Sequence, residues 1–308
     1  YVDLPRVAWT NSWAASIADP TVVGVAAASG AAEEAIRVTG LKVGDRVAMS
    51  WTVHAEVVSV PEGRVYRLPD NVDFEAAALV HISTFPMAAI RKCRLELGES
   101  ALVMGQGVLG QLAVVLLKAA GATPVIAADP VAAKRKRALK LGADYAFDPL
   151  SPDFAEKVRA VTTTGRAFQE GREAAAGAKV VIEGTGNGPA LNQALEAIAP
   201  NGRLALLGCT RDSNFSVNYY RKVHARGITL IGAHTNARPD IESAPGWWTT
   251  RDDAETLLRL LALKRVSLKG FVNEVHPVEE APQVYARLAK GGAFPMVQFD
   301  WKTERLAK

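Results

Sequence analysis

The chain has 308 residues, 49% of them hydrophobic and 22% charged, with a formal net charge of +4. That length suggests two domains with apolar material for two cores, and a mild charge excess without interleaved aromatics argues against a nucleic-acid-binding stripe. Two cysteines, Cys93 and Cys209, exclude a disulfide framework and a four-cysteine zinc lobe, and they fit a reducing cytoplasm. No apolar run reaches the about 20 residues needed to span a bilayer, and no secretory signal is expected from the first residues. Neither a membrane nor a nucleic acid is therefore expected as a partner.

Residues 1–85 read as β-rich and irregular. A turn and short strand are expected over 43–49, a weakly alternating strand over 54–60, and a proline-closed strand over 65–69. Residues 74–89 read as mostly helical. From Ser100 onward, strands alternate with helices. Strands are expected at 101–104, 124–128, 144–147, 179–183, 203–208 and 228–231, with helices at 108–120, 132–141, 154–162 and 189–199. Six such strands describe a doubly wound parallel sheet, an α/β fold. A helix over 253–262 follows. The tail returns to short strands at 271–275 and 296–299 around a helix at 279–288, and is expected to pack back on the N-terminal part.

Within the sheet, the first strand runs into Gly105-Gln106-Gly107-Val108-Leu109-Gly110, then a helix, a second strand and Asp129. This order is that of a dinucleotide-binding βαβ unit. Gly105 permits the tight turn, Gly107 lets a pyrophosphate approach the backbone, and Gly110 lets the helix pack closely on the sheet. The free N–H groups at the helix start, at Val108 and Leu109, and the helix dipole then hold the phosphate charge. Asp129 lies 19 residues past Gly110. There it accepts from the adenosine ribose hydroxyls and repels a 2′-phosphate, which favours NAD over NADP. The basic run Lys134-Arg135-Lys136-Arg137 reads mainly as a solvated helix face.

Several segments together resemble the medium-chain dehydrogenase/reductase superfamily: Val38-Thr39-Gly40-Leu41-Lys42-Val43-Gly44-Asp45-Arg46-Val47, Leu68-Pro69-Asp70-Asn71-Val72, Glu75-Ala76-Ala77-Ala78, Leu97-Gly98-Glu99, Leu141-Gly142-Ala143-Asp144 and Val181-Ile182-Glu183. The resemblance implies an NAD(P)-dependent oxidoreductase with a Rossmann sheet and a smaller β-rich GroES-like catalytic domain. The expected division is 1–85 with 265–308 for the catalytic domain and 86–264 for the dinucleotide domain. It also implies a homodimer or higher homo-oligomer acting on a small-molecule substrate. The closest branch is that of zinc alcohol and polyol dehydrogenases, and the chain departs from it at the metal. Where those enzymes carry Gly-His-Glu, this chain has Gly24-Val25-Ala26; no cysteine precedes Cys93; and His81 stands 24 residues before Gly105, where polyol-type members place a glutamate ligand. The N-terminal part is also shorter than the family's, over the stretch that would carry the first ligand and the proton relay. A catalytic zinc needs three protein ligands, so none is expected.

Without zinc, a side chain must take the proton when an alcohol is oxidised, and histidine suits that role. The resemblance puts His81 beside the nicotinamide, so it is the first candidate; the alternative is a histidine that only packs at the domain junction. His54 reads as structural. The loop Gly232-Ala233-His234-Thr235-Asn236-Ala237-Arg238-Pro239 follows the last strand. His234, Asn236 and Arg238 there fit a polyhydroxylated or anionic substrate, or else a loop that caps the sheet. Tyr219, Tyr220, Trp247 and Trp248 read as packing or interface residues before sugar-stacking ones. By the same resemblance Lys134 reaches the adenosine ribose, Thr185 and Gly186 pass under the cofactor, and Cys209 lies against the nicotinamide. The expected activity is NAD-dependent hydride transfer between a secondary alcohol and its ketone, in the sugar or polyol class. The alternatives are a zinc-free enone or quinone reductase, and a non-catalytic nucleotide-binding protein.

Overall fold

A computed structural model of the chain describes residues 12–16, 41, 45–51, 60–163, 176–209, 214–290 and 295–300. Gly24, Val25, Ala26 and His54, and the strand expected over 54–60, lie outside these. The described residues group into two units, 1–82 with 254–308, and 83–253.

The first unit carries an antiparallel sheet of β1 (Ser12–Ser16), β2 (Arg46–Ser50) and β3 (Val65–Arg67). Two of the family-like segments meet here. The Arg46 guanidinium donates to the carbonyls of Asp70 and Val72 and lies over the Phe74 ring, 4.6 Å from its centroid. Asp73 then caps α1 (Phe74–Ala77) by accepting from Ala76 N at 2.7 Å. The single helix expected over 74–89 is two: α1 ends at Ala77 and α2 (Val80–Lys92) begins afresh.

The second unit is built on six parallel strands: β4 (Ala101–Met104), β5 (Val125–Ala128), β6 (Tyr145–Phe147), β7 (Ala178–Glu183), β8 (Ile198–Leu206) and β9 (Thr229–Gly232). Their order is β6-β5-β4-β7-β8-β9. It reverses between β4 and β7, the crevice where doubly wound sheets bind ligands. β4 and β5 are buried along their whole length, as strands covered by helices on both faces must be. The connecting helices are α3 (Val108–Ala119), α4 (Ala132–Lys140), α5 (Phe154–Thr162) and α6 (Gly188–Ala197). Asp144, from the family-like Leu-Gly-Ala-Asp, has a structural role, accepting from Val125 N at 2.7 Å and pairing with Lys118 of α3. α6 stops two residues earlier than its sequence suggests, where Ile198 turns extended and begins β8, and Arg226 caps its end through the Leu195 and Ile198 carbonyls. Beyond β8 lie α7 (Tyr219–Lys222), β9 and α8 (Thr250–Ala262).

α8 explains why the division falls at 253/254 rather than at the expected 264/265. Its C-terminal half packs in the first unit: Asn71 donates to Ala262 O at 2.8 Å, and Leu258, Ala262 and Leu263 line a cleft of about 390 Å³ with Arg67 and Pro69. No candidate site residue lines that cleft. The tail consists of β10 (Glu274–Pro277), α9 (Ala281–Ala289) and β11 (Val297–Asp300); β10 and β11 pair in parallel. Gln298 donates to Glu75 O at 2.8 Å, which ties the tail to the N-terminal residues. Phe271, expected to begin a strand, is instead a fully buried plug.

Candidate functional site

β4 leads into a turn at Gly105, whose φ of +85° favours glycine. Gly105 N donates to Ala128 O at 2.7 Å, which carries the β4–β5 ladder one residue beyond the strands. A Cβ on Gly110 would stand 1.8 Å from Gly105 O, so only glycine lets α3 start this close to the turn. Gly107 differs, because a Cβ there would meet nothing within 4 Å. The space beside its backbone is open. Gly107 is also the N-cap of α3 and offers no side chain to the first-turn N–H groups. Val108 and Leu109 therefore present the orphan donors of a helix start to that space.

Asp129 stands at the end of β5 and is 4% exposed. Its Oδ2 accepts from Gln106 N and its Oδ1 from Val131 N, both at 2.8 Å. A carboxylate has about four acceptor positions, so two remain for ribose hydroxyls. Lys134 Nζ is 3.8 Å from Oδ2. Arg135, read from sequence as part of a solvated face, turns inward to the carbonyls of Asp129 and Pro130 and to Asp148.

After β7, Glu183 organises the next loop. It is 1% exposed and accepts from Thr185 N at 2.8 Å, from the Thr185 hydroxyl and from Gly186 N at 3.1 Å. Burial pushes its carboxyl above the ordinary range, against the pull of these donors. Gly186 and Gly208 let this loop and the one after β8 touch backbone to backbone. A Cβ on Gly186 would lie 2.6 Å from Cys209 O, and one on Gly208 would lie 2.2 Å from Gly186 N. A Cβ on Gly105 would lie 2.7 Å from Thr185 Cγ2. Gly105, Thr185, Gly186 and Cys209 are thus brought together at the carboxyl edge of the sheet, with the Cys209 thiol exposed.

The loop after β9 is a different construction. His234 is exposed, and its Nδ1 accepts from Asn236 N at 3.1 Å. Arg238 does not reach outward as a substrate ligand would. Its side chain, 6% exposed, lies 3.4 Å from Asp253 and donates to Thr250 Oγ1 and the Thr84 carbonyl. Lys92 donates to Gly232 O at 2.9 Å and Ala237 O at 2.6 Å, and lies 4.4 Å from the centre of a Trp247 ring. Arg91 pairs with Asp253 at 2.7 Å and stacks over a Trp248 ring. Both tryptophans are used as faces for the protein's own cations. Tyr219 and Tyr220 remain exposed.

His81 belongs to the first unit, in the opening turn of α2. It is 1% exposed and meets the Trp51 ring edge-to-face, with centroids 4.9 Å apart. Sequence reasoning placed Glu183 at the head of the loop under the cofactor but not its hold on Thr185 and Gly186. It missed the roles of Gln106, Lys92 and Asp253, which depend on contacts distant in sequence.

Residues 108–250 match the family described as Zinc-binding dehydrogenase. D-guloside 3-dehydrogenase of Escherichia coli strain K12 is 26% identical over 250 residues, covering 80% of this chain and 68% of that protein. L-threonine 3-dehydrogenase of Pyrococcus furiosus is 28% identical, covering 75% and 71%. Among solved structures, galactitol-1-phosphate dehydrogenase from Escherichia coli superposes with a TM-score of 0.69 at 20% identity, over 83% of this chain and 78% of that one. The chain belongs to the medium-chain dehydrogenase/reductase superfamily.

As a medium-chain dehydrogenase/reductase it is an oxidoreductase of the alcohol-dehydrogenase type, with a Rossmann sheet and a smaller GroES-like domain. The superfamily's nicotinamide dinucleotide fits the residues present: Gly107 leaves its space open, and Asp129 keeps acceptor capacity. The identity of the nucleotide is not fixed by the neighbours, since a zinc-binding dehydrogenase structure from Sinorhizobium meliloti, TM-score 0.65 at 19% identity over 84% of this chain and 77% of that one, is bound to NADP. The family match begins at residue 108, beyond Val25, Ala26 and His81. Among the described residues, no three His, Cys, Asp or Glu side chains are grouped to hold a metal.

Proposed function

We propose that this medium-chain dehydrogenase/reductase is an NAD-dependent, zinc-independent dehydrogenase of secondary alcohols, in the sugar or polyol class. Asp129 carries the reading: a nearly buried carboxylate at the end of β5, with two acceptor positions left for the ribose hydroxyls and a charge that repels a 2′-phosphate. When bound, the nicotinamide supplies the hydride acceptor. The chain's residues hold the pyrophosphate at the N-terminus of α3, the ribose at Asp129 with Lys134 beside it, and the nicotinamide end at Thr185, Gly186 and Cys209. The substrate class is supported by relatives named D-guloside 3-dehydrogenase and Probable D-xylulose reductase A.

His81 takes the alcohol proton in this reading, and His234 stands second. The replaced ligand pair at Val25 and Ala26 supports chemistry without zinc. The exposed side chains of α7 and the position of β9 at the end of its sheet among the described residues support a homodimer or higher oligomer. Two free cysteines support a cytoplasmic location.

Titration with NAD and NADP, followed by turnover on a panel of sugars, polyols and their ketones, tests the reading. Tighter binding of NAD with turnover on a secondary alcohol is expected. Equal or reversed nucleotide preference overturns the cofactor assignment, and tight nucleotide binding with no turnover favours a non-catalytic role. About one tightly held zinc per chain after dialysis would make His81 a ligand. His81→Ala should lower turnover by about 10²-fold or more with NAD affinity unchanged; near wild-type turnover would move the proton-handling role to His234.

A further inference from the structure

The β4–β5 ladder does not end with the strands. Gly105 N takes Ala128 O, and the next donor along, Gln106 N, takes the side chain of Asp129 instead of a main-chain carbonyl. The carboxylate acts as one more rung of the sheet, at the residue between the two glycines of the turn. Its other oxygen holds Val131 N, where the chain enters α4. Gln106 is fully buried and held at two further points: its Nε2 donates to Val103 O and its main-chain carbonyl accepts from Gln111 Nε2. At the end of β7 a carboxylate also holds main-chain donors, but local ones: Glu183 accepts from Thr185 N and Gly186 N of its own loop.

We propose that Asp129 is a positioning residue for the glycine turn, latching the phosphate-binding loop through Gln106 N–H before any nucleotide binds. Building on the dinucleotide reading above, Asp129 then serves two functions. It presents acceptors to the ribose, and it fixes the turn that presents Val108 and Leu109 to the pyrophosphate. A substitution meant to admit NADP by removing the charge would also release the turn. The usual route of relaxing nucleotide preference at this acid is closed in this chain.

Hydrogen exchange on the cofactor-free protein tests the latch directly. In Asp129→Ala, and in Asp129→Leu, similar in size to Asp but without an acceptor, in case the first variant folds poorly, amides over 104–111 should exchange about tenfold faster or more, the scale of losing one hydrogen bond to a charged acceptor. NAD affinity should fall in both variants with no rise in NADP affinity. Unchanged exchange over 104–111 in a folded variant overturns the proposal, as does a variant that loses NAD affinity while gaining NADP. Because the exchange is read without cofactor, failure of wild-type protein to bind NAD would sink the dinucleotide reading and leave the latch standing.

Discussion

Two kinds of loop stand at the carboxyl edge of the six-stranded sheet. Those after β4, β5 and β7 are held by carboxylates, Asp129 and Glu183, that accept from backbone N–H groups. The loop after β9 is held by cations, Lys92 and Arg238, that donate to backbone carbonyls, with Arg238 also paired to Asp253. The acid-held loops use few side chains, pack through glycines, and leave N–H groups and open space beside Gly107 for a ligand. The cation-held loop fills its own interior with long side chains and tryptophan rings, leaving His234 to face outward. One construction preserves vacant donors and the other spends its cations and tryptophan faces internally, and the proposed nucleotide site falls on the first.

The largest effect should come from breaking the cation-held loop at Asp253, the carboxylate that pairs with both of its arginines. Asp253 is fully buried between Arg91 and Arg238, and burial pushes its carboxyl above the ordinary range despite both. Asp253→Ala strands two cations, and removing one partner of a buried pair costs about 3–5 kcal/mol. Denaturant unfolding should show that loss; a change near zero would mean that water already reaches the cluster.

Gly110→Ala attacks the acid-held side. Its Cβ would meet Gly105 O at 1.8 Å, so α3 must shift. Overpacking of this kind costs about 1–3 kcal/mol, and NAD affinity should fall with it. Gly107→Ala, in open space, should lower NAD affinity with little change in melting temperature. Equal stability loss in the two variants would break the distinction between a packing glycine and an approach glycine.

Lys92→Met keeps the length of the side chain but removes its donors to Gly232 O and Ala237 O. A loss of about 1 kcal/mol is expected for two lost hydrogen bonds to part-exposed carbonyls, with faster amide exchange over 232–238 and none over 104–111. Spread of the effect to the glycine turn would show that the two loops are not independent.

The smallest effect is a pH dependence. Burial raises the Glu183 carboxyl, so between the ordinary value and the raised one the folded chain binds more protons than the unfolded chain. Stability from this group is therefore greatest below the unfolded value and declines as pH rises through the folded one. Glu183→Gln should melt lower than wild type at about pH 4, and the gap should narrow toward about pH 8, past the ordinary carboxylate range. A gap that widens with pH would mean that the loop's donors outweigh desolvation.

The strand–turn–helix–strand–acid order of residues 101–129 was readable because each part is local. Buried parallel strands are continuous apolar runs, and a turn at Gly105 and a close approach at Gly110 demand glycine. The Gly-Asp-Arg and Leu-Pro-Asp-Asn-Val segments were equally legible, though not their reason, which is Arg46 holding the carbonyls of Asp70 and Val72. Only the tertiary structure could decide what the polar side chains do. Arg238, read in sequence as a candidate substrate ligand, is consumed by Asp253 and the Thr84 carbonyl, and Trp247 and Trp248 are taken up by Lys92 and Arg91. A side chain's partner can stand more than a hundred residues away, as Thr84 does from Arg238 at a separation of 154. Asp129 was legible as an acid at the end of a strand. That it also latches the glycine turn was not, because that hydrogen bond exists only once β4 and β5 lie side by side.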